Sequence, residues 1–246
     1  MIHFVGAGPG DPELLTRRAE RLLRGCGVCV WAGSLVNPAL LDFLPAGCEV
    51  HDSARLDLEQ TTQLLRDGHA RGLDVVRLHT GEPSLFGAIA EQMRVLKELG
   101  IPYQVTPGVS SFQAAAASLG AELTAPEEAQ AVVLCRTSGR TPVPAGQNPS
   151  DFAASNATLC IFLSALVLDE ELARIAAVRG ENCPAAAVWR ASWPEERHVT
   201  GTLGTLAAQV REAGFDRQVM VLVGWALAGA SAPSRLYASD FSHGWR

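Results

Sequence analysis

The chain has 246 residues, 48% of them hydrophobic and 19% charged, with a formal net charge of −6. That balance excludes a disordered tail protein, which would carry less apolar material and more charge, and a broad electrostatic footprint for nucleic acid. A soluble chain of this length buries a substantial core and fits one large domain or two small ones. Lys97 is the only lysine, so the cations are almost all arginines, whose planar fork suits carboxylates.

Met1–Gly6 runs straight into a strand-like segment without a basic leader, so no secretory signal is expected and the default compartment is the cytoplasm. The uncharged run near Val219–Ser234 is broken by Gly224, Gly229 and Pro233. It is too short to span a membrane, so no membrane association is expected.

Taken in chain order, Ile2–Val5 reads as a strand, and Leu14, Leu15, Ala19, Leu22 and Leu23 fall on one helical face. Val28–Trp31 predicts a second strand and Glu49–His51 a short third. Leu58–Arg71 predicts a helix, Asp74–Leu78 a strand, Leu85–Leu99 a helix and Tyr103–Val105 a strand. This β-α-β-α order predicts a mostly parallel sheet. Ser110–Leu119 predicts a helix and Ala131–Cys135 a strand. Residues 136–144 are polar and turn-rich, a surface loop of the kind that often carries function. Beyond it, Thr158–Leu163, Ala185–Trp189 and Val219–Val223 read as strands, and Leu166–Arg179 and Thr202–Ala213 as helices. The expected class is α/β: an N-terminal domain over 1–112, a C-terminal domain over 113–232, each a mostly parallel or mixed sheet flanked by helices, and a weakly ordered tail over 233–246.

Cys26 and Cys29 stand in C-x-x-C spacing, which raises a metal or redox site. Their surroundings, Gly25–Trp31, read as the start of a buried strand, where residues three apart face opposite sides. No second pair completes a zinc set. Core packing explains Cys26, Cys29, Cys48, Cys135, Cys160 and Cys183 better, and no metal is expected.

Gly6-Ala7-Gly8-Pro9-Gly10-Asp11 invites a nucleotide reading. The G-x-G-x-x-G fingerprint, however, has Asp11 where its last glycine belongs, and a P-loop needs a lysine that is missing here. A tight turn packing helix on sheet, or a ligand-facing loop of another type, are the readings left. Thr80-Gly81-Glu82-Pro83-Ser84-Leu85-Phe86-Gly87 is a second turn. Gly81 permits close backbone approach, and Pro83 suits a first helical turn. Glu82 would sit by a helix N-terminus, capping it or meeting a polar ligand. Both turns follow a strand and precede a helix, and in an open parallel sheet ligands bind at such strand ends. A third turn, Thr106-Pro107-Gly108-Val109-Ser110-Ser111, puts two hydroxyls at a helix start. They either cap the helix or also bind ligand.

In this order the three turns resemble the signatures of the tetrapyrrole (corrin/porphyrin) methylases. Gly6–Thr16 is similar to the opening signature, Gly81–Gly87 to the second, usually Gly-Asp-Pro, and Thr106–Ser111 to the third. Trp31–Val36, Arg136–Pro142 and Arg190–Glu196 resemble the branch of the family that methylates precorrin-4 at C11 to precorrin-5 in cobalamin biosynthesis. Glu82 departs from the usual aspartate, and Trp225 stands where proline is common.

The resemblance implies the two-domain tetrapyrrole methylase fold, distinct from the Rossmann-type methyltransferases, in a homodimer. It implies S-adenosylmethionine in a cleft between domains with the tetrapyrrole over it. Cofactor contacts are implied at Pro9, Thr80, Gly81, Glu82, Leu85, Ser110, Ser111, Leu163, Ala191 and Trp225, many of them through backbone. Another corrin or porphyrin position, or a cobalt-containing precorrin-4, stands as the alternative target. A tetrapyrrole-binding module without chemistry would need no cofactor pocket, and an NAD-type dehydrogenase conflicts with Asp11.

Methyl transfer from a sulfonium to a ring carbon needs no enzyme nucleophile, so the lack of a Ser-His-Asp or Cys-His pattern is consistent. A polycarboxylate substrate calls for arginines. Arg55, Arg77, Arg136, Arg140, Arg190 and Arg197 lie in or beside the loops named, and bidentate guanidinium–carboxylate pairs are strong. The substrate-binding candidates are Arg136, Ser138, Arg140 and Arg190, with residues 136–144 as a lid. Glu82, His79 and His51 are the candidates for a base; His79, at a strand end, reads first as a structural residue.

Overall fold

The structure, a computed structural model, describes residues 1–139, 141–162, 167–230, 232–234 and 241. It divides into two compact units, Met1–Ala114 with Ser192–Pro194, and Ala115–Ala191 with the chain from Glu195 on. The expected boundary at 112/113 and this division fall inside one helix, but the membership of Ser192–Pro194 in the first unit is not foreseen by the sequence. Most of the tail expected over 233–246 lies outside the described residues.

The first unit is built on five parallel strands, β1 (Ile2–Gly6), β2 (Val28–Trp31), β3 (Glu49–Asp52), β4 (Val75–His79) and β5 (Tyr103–Thr106). Their order is β3-β2-β4-β1-β5. Gly6 lies opposite His79, and Val5 opposite Thr106. The ends of β4, β1 and β5 are therefore level, and the loops that follow emerge side by side. One sheet face buries Val5, Cys29, Val76 and Leu78 with Ala19 and Leu23 of helix α1 (Arg17–Gly25). The other buries Ile2, Phe4, Val28, Val30 and Val75 with Leu65 of α2 (Leu58–Ala70) and Leu96 of α3 (Ile89–Glu98). Strands buried on both faces read as the continuous apolar runs seen in the sequence.

Three readings are corrected here. The helical face expected over Leu14–Leu23 is two elements, a 3-10 turn at Pro12–Leu14 capped by Asp11 and α1 capped by Thr16; each cap accepts a backbone N–H that would otherwise lack a partner. The helix expected from Leu85 begins only at Ile89, because Phe86 and Ala88 have φ of 57° and 50°, outside helical space. Residues 82–88 are thus a loop, and Glu82 is not beside a helix N-terminus. Cys26 is not on a strand. It caps α1, and its sulfur lies 3.7 Å from that of Cys48. Cys26 and Cys29 share one core face rather than diverging.

Helix α4 (Ser111–Ser118) follows β5. The second unit holds a mixed sheet of order β6-β7-β10-β8-β9. In it β6 (Val132–Arg136) and β7 (Thr158–Phe162) are parallel. The others, β8 (Pro184–Trp189), β9 (Arg197–Thr202) and β10 (Val219–Val223), pair antiparallel. Leu168, Leu172 and Ile175 of α5 (Leu168–Arg179) and Leu206 and Val210 of α6 (Leu206–Glu212) join Leu159, Ile161, Ala185, Ala187 and Val221 in its core. Strand β9 escaped the sequence reading because it is a largely exposed edge with little apolar alternation. The helix expected from Thr202 starts at Leu206, since Thr202 pairs with Pro184 in the sheet. No helix of the described residues is long and apolar enough to cross a membrane. Among them no group of three histidine, cysteine or carboxylate side chains could hold a metal ion.

Candidate functional site

The site candidates of the first unit gather where β4, β1 and β5 end. Past β1, the Ala7 amide donates to the His79 carbonyl at 2.7 Å. Gly8 and Gly81 then exchange two backbone hydrogen bonds, of 3.3 and 2.8 Å, as an isolated antiparallel bridge. Gly6 explains the close approach of the third loop. A methyl group on it would lie 2.6 Å from the Gly108 nitrogen and 2.7 Å from the Gly81 oxygen. Gly81 has φ of 59°, which glycine adopts at little cost. Its α-carbon faces the third loop, so that an added methyl would sit 3.8 Å from Ser110 Cα and 3.9 Å from the Ser111 nitrogen.

Glu82 ties the second loop to the third. Its Oε1 accepts from the Ser84 amide at 2.9 Å and its Oε2 from the Gly108 amide at 2.8 Å. Both oxygens are engaged by backbone donors, which defines a structural brace. Ser110 is buried and caps α4: its amide donates to Gln113 Oε1 at 2.9 Å and its carbonyl accepts the Gln113 amide at 3.1 Å. Thr80 is exposed and Leu85 half-buried.

Three side chains pin the first loop. Trp193 Nε1 donates to the Pro9 carbonyl at 2.9 Å, Asn37 Nδ2 to the Gly10 carbonyl at 2.9 Å, and the Asp11 amide to Ser192 Oγ at 3.0 Å. The Pro9 carbonyl is therefore already engaged within the protein. Asn37 is not legible from sequence, where its only local signal is a cap before Pro38. Ser192 and Trp193 stand in the Arg190–Glu196 motif, which announces no such contact.

His79 is a poor base. It is buried, its Nε2 has no hydrogen-bond partner, and burial together with the charge of Arg77 pushes its pKa down to about 3. Arg77 is buried too, with Nε 3.3 Å from Gln92 Oε1 and Nη1 3.2 Å from the Val30 carbonyl. Burial lowers its pKa to about 10, and its guanidinium serves the core. His51 lies on the edge strand β3, 3.9 Å from Glu49.

Across the loops 6–11, 80–85 and 106–111 the charged residues are Asp11 and Glu82, with no lysine or arginine. Backbone, hydroxyl and carboxylate groups suit a cationic or neutral ligand and give a phosphate no counter-charge.

Of the remaining candidates, Leu163 and Arg140 lie outside the described residues. In the second unit Arg136 donates to the carbonyls of Thr141 at 3.1 Å and Pro142 at 2.8 Å, which folds the loop onto its own guanidinium. Ser138 Oγ accepts from the Val143 amide at 3.1 Å and lies 3.3 Å from Asn148 Oδ1. Arg190 has φ of 50° and stacks 4.8 Å from the Trp189 ring. Its Nε donates to Gln218 Oε1 at 3.1 Å, and its Nη1 lies 3.7 Å from Glu195. Arg197 covers the same ring at 4.9 Å. Ala191 is buried, and Trp225, 37% exposed, opens a 3-10 turn at Trp225–Ala228.

The model of the family described as Tetrapyrrole (Corrin/Porphyrin) Methylases matches residues 1–207. A precorrin-4 C(11)-methyltransferase of Pseudomonas aeruginosa is 47% identical over 246 residues, covering 100% of this chain and 98% of that protein. The X-ray structure of a cobalt precorrin-4 methyltransferase, a cobalamin biosynthetic enzyme, superposes with a TM-score of 0.89 at 39% identity, over 92% of this chain and 95% of that one. A uroporphyrin-III C-methyl transferase from Thermus thermophilus, complexed with S-adenosyl homocysteine, gives a TM-score of 0.78 at 28% identity, over 92% of this chain and 98% of that one. The chain belongs to the tetrapyrrole (corrin/porphyrin) methylase family.

Proposed function

We propose that this chain transfers a methyl group from S-adenosylmethionine to C11 of precorrin-4, giving precorrin-5 in cobalamin biosynthesis. The observation that carries this reading is the rim of three braced loops at the β4, β1 and β5 ends, free of lysine and arginine and carrying Asp11 and Glu82. The likeness to relatives of that name along the whole chain supports the choice of substrate.

The residues present fit the cofactor. When bound, S-adenosylmethionine supplies an electrophilic methyl on a positively charged sulfur. Thr80, Gly81, Leu85, Ser110 and Ser111 would hold it, with the Pro9 ring packing against it. Contacts at Trp225, Ala191 and Leu163 are proposed on the family likeness alone. The carboxylates of Glu82 and Asp11 add a favourable field for the cation without an ion pair. The protein's task is alignment of ring carbon and methyl, and positioning of this kind supplies about 7–11 kcal/mol. No side chain needs to act as nucleophile, and neither His79, held neutral by burial, nor the braced Glu82 is placed to shuttle protons. Arg136, Arg140, Arg190 and Ser138 are proposed to meet the substrate's carboxylates. A cytoplasmic homodimer is proposed on the family likeness.

The test is incubation with precorrin-4 and S-adenosylmethionine, followed by mass spectrometry and NMR of the product. Gain of one methyl at C11 is the expected result. Methylation at another ring carbon, or none with either the metal-free or the cobalt-containing substrate, overturns the proposal.

A further inference from the structure

We propose that Trp193, assisted by Ser192, is a positioning residue that sets the shape of the first loop, Gly8–Asp11, before the cofactor binds; this rests on the methyl-donor site proposed above. Three consecutive residues of that loop each have a backbone polar group held by a side chain remote in sequence. Pro9 is held by Trp193, Gly10 by Asn37 and Asp11 by Ser192. A loop of glycine and proline has little side-chain packing of its own, so these bonds replace it.

Gly10 gives independent support. It is buried, and its φ is not in the left-handed region, so its backbone conformation would accept alanine. The three atoms that a methyl group would meet first all belong to the Trp193 indole, at overlapping distance. Position 10 is thus glycine because Trp193 occupies the space above it. Ser192, a non-glycine residue at φ of 68°, follows Arg190 at 50°. Such conformations persist only where the surroundings hold them, and here they aim the Ser192 hydroxyl and the indole at the loop. The Pro9 carbonyl is taken by the indole, so Trp193 acts on the ligand through the loop and not by contact.

The test is calorimetric titration of S-adenosylhomocysteine into wild type, W193F, W193A, G10A and the double variant, with thermal melts in parallel. W193F keeps an aromatic ring and loses the donor. It is expected to melt close to wild type, to bind about five- to ten-fold more weakly, the worth of a lost hydrogen bond, and to raise the cofactor KM with kcat little changed. G10A is expected to weaken binding in the wild-type background and to have no further effect in W193A, because the clash is with the indole. W193F binding as tightly as wild type, or G10A acting equally in both backgrounds, overturns the inference. If W193A fails to fold, W193F against wild type decides alone. A wild type that does not bind S-adenosylhomocysteine brings down the functional reading, and this inference with it; a wild type that binds while the variants bind equally brings down this inference only.

Discussion

Glu82 and Gly108 are joined across 26 positions of sequence by a hydrogen bond of 2.8 Å from the Gly108 amide to the glutamate Oε2. The other carboxylate oxygen takes the Ser84 amide at 2.9 Å. One side chain thus closes its own loop and grips the loop after β5, so that the most prominent acid of the second signature works as a brace.

Removing that brace is expected to cost stability and ligand affinity together. Hydrogen bonds to a charged acceptor contribute about 1.5–3 kcal/mol each, and Glu82 is partly exposed, so E82A should lose about 2–3 kcal/mol in urea unfolding. E82D withdraws the carboxylate by about 1.5 Å and should lose one bond of the two. An E82A protein as stable as wild type would show that the brace is idle.

Gly6 and Gly25 make a matched pair of alanine substitutions. A methyl group on Gly6 meets the Gly108 and Gly81 backbones below 3 Å, whereas one on Gly25, the last residue of α1, has no heavy atom within 4 Å. G6A is expected to destabilise by about 1–3 kcal/mol, the usual range for overpacking, and to weaken S-adenosylhomocysteine binding. G25A is expected to be neutral or to stabilise by up to about 1 kcal/mol. Thermal melts of the two side by side would expose an error if G25A proved the more damaging.

The buried His79 makes stability depend on pH in a defined direction. Its folded pKa of about 3 lies below the ordinary histidine value of 6.5. Above about 6.5 neither state holds the proton. Between about 6.5 and 3 the unfolded chain takes it up and the folded one does not, so stability falls with falling pH, by up to about 1.4 kcal/mol per unit. Below about 3 the loss levels off. Replacing His79 by asparagine removes this contribution. Urea midpoints at several pH values should show the difference between wild type and H79N shrinking or reversing as acid is added, and a constant difference would contradict a buried neutral imidazole.

The cysteines should react in an order set by exposure. Cys26, Cys29, Cys135, Cys160 and Cys183 are buried, and Cys48 is half-buried. Burial raises the Cys29, Cys135 and Cys160 thiols to about 12, and it raises Cys48 as well. Iodoacetamide on the native protein, read by peptide mass mapping, should label Cys48 first and slowly. Labelling of Cys29 ahead of Cys48 would refute the burial.

The sequence by itself determined the order of strands and helices in the first unit and the three loop signatures, because fully buried parallel strands read as apolar runs and tight turns need glycine and proline wherever they stand. It missed what depends on distant partners. The helix after Glu82 starts late because Phe86 and Ala88 are left-handed, which no local propensity announces. Strand β9 is visible only through its pairing with β8. Cys26 and Cys48 meet because β2 and β3 pair in parallel, with Val28 opposite Glu49, which brings together the residues that precede each strand. The same holds at the site. Glycine at position 10 and serine at 192 look like ordinary loop residues until the fold places the Trp193 indole against one and the Asp11 amide against the other. Local chemistry chose the turns; long-range packing, with partners from 26 to 184 positions away, decided what holds the backbone groups of those turns.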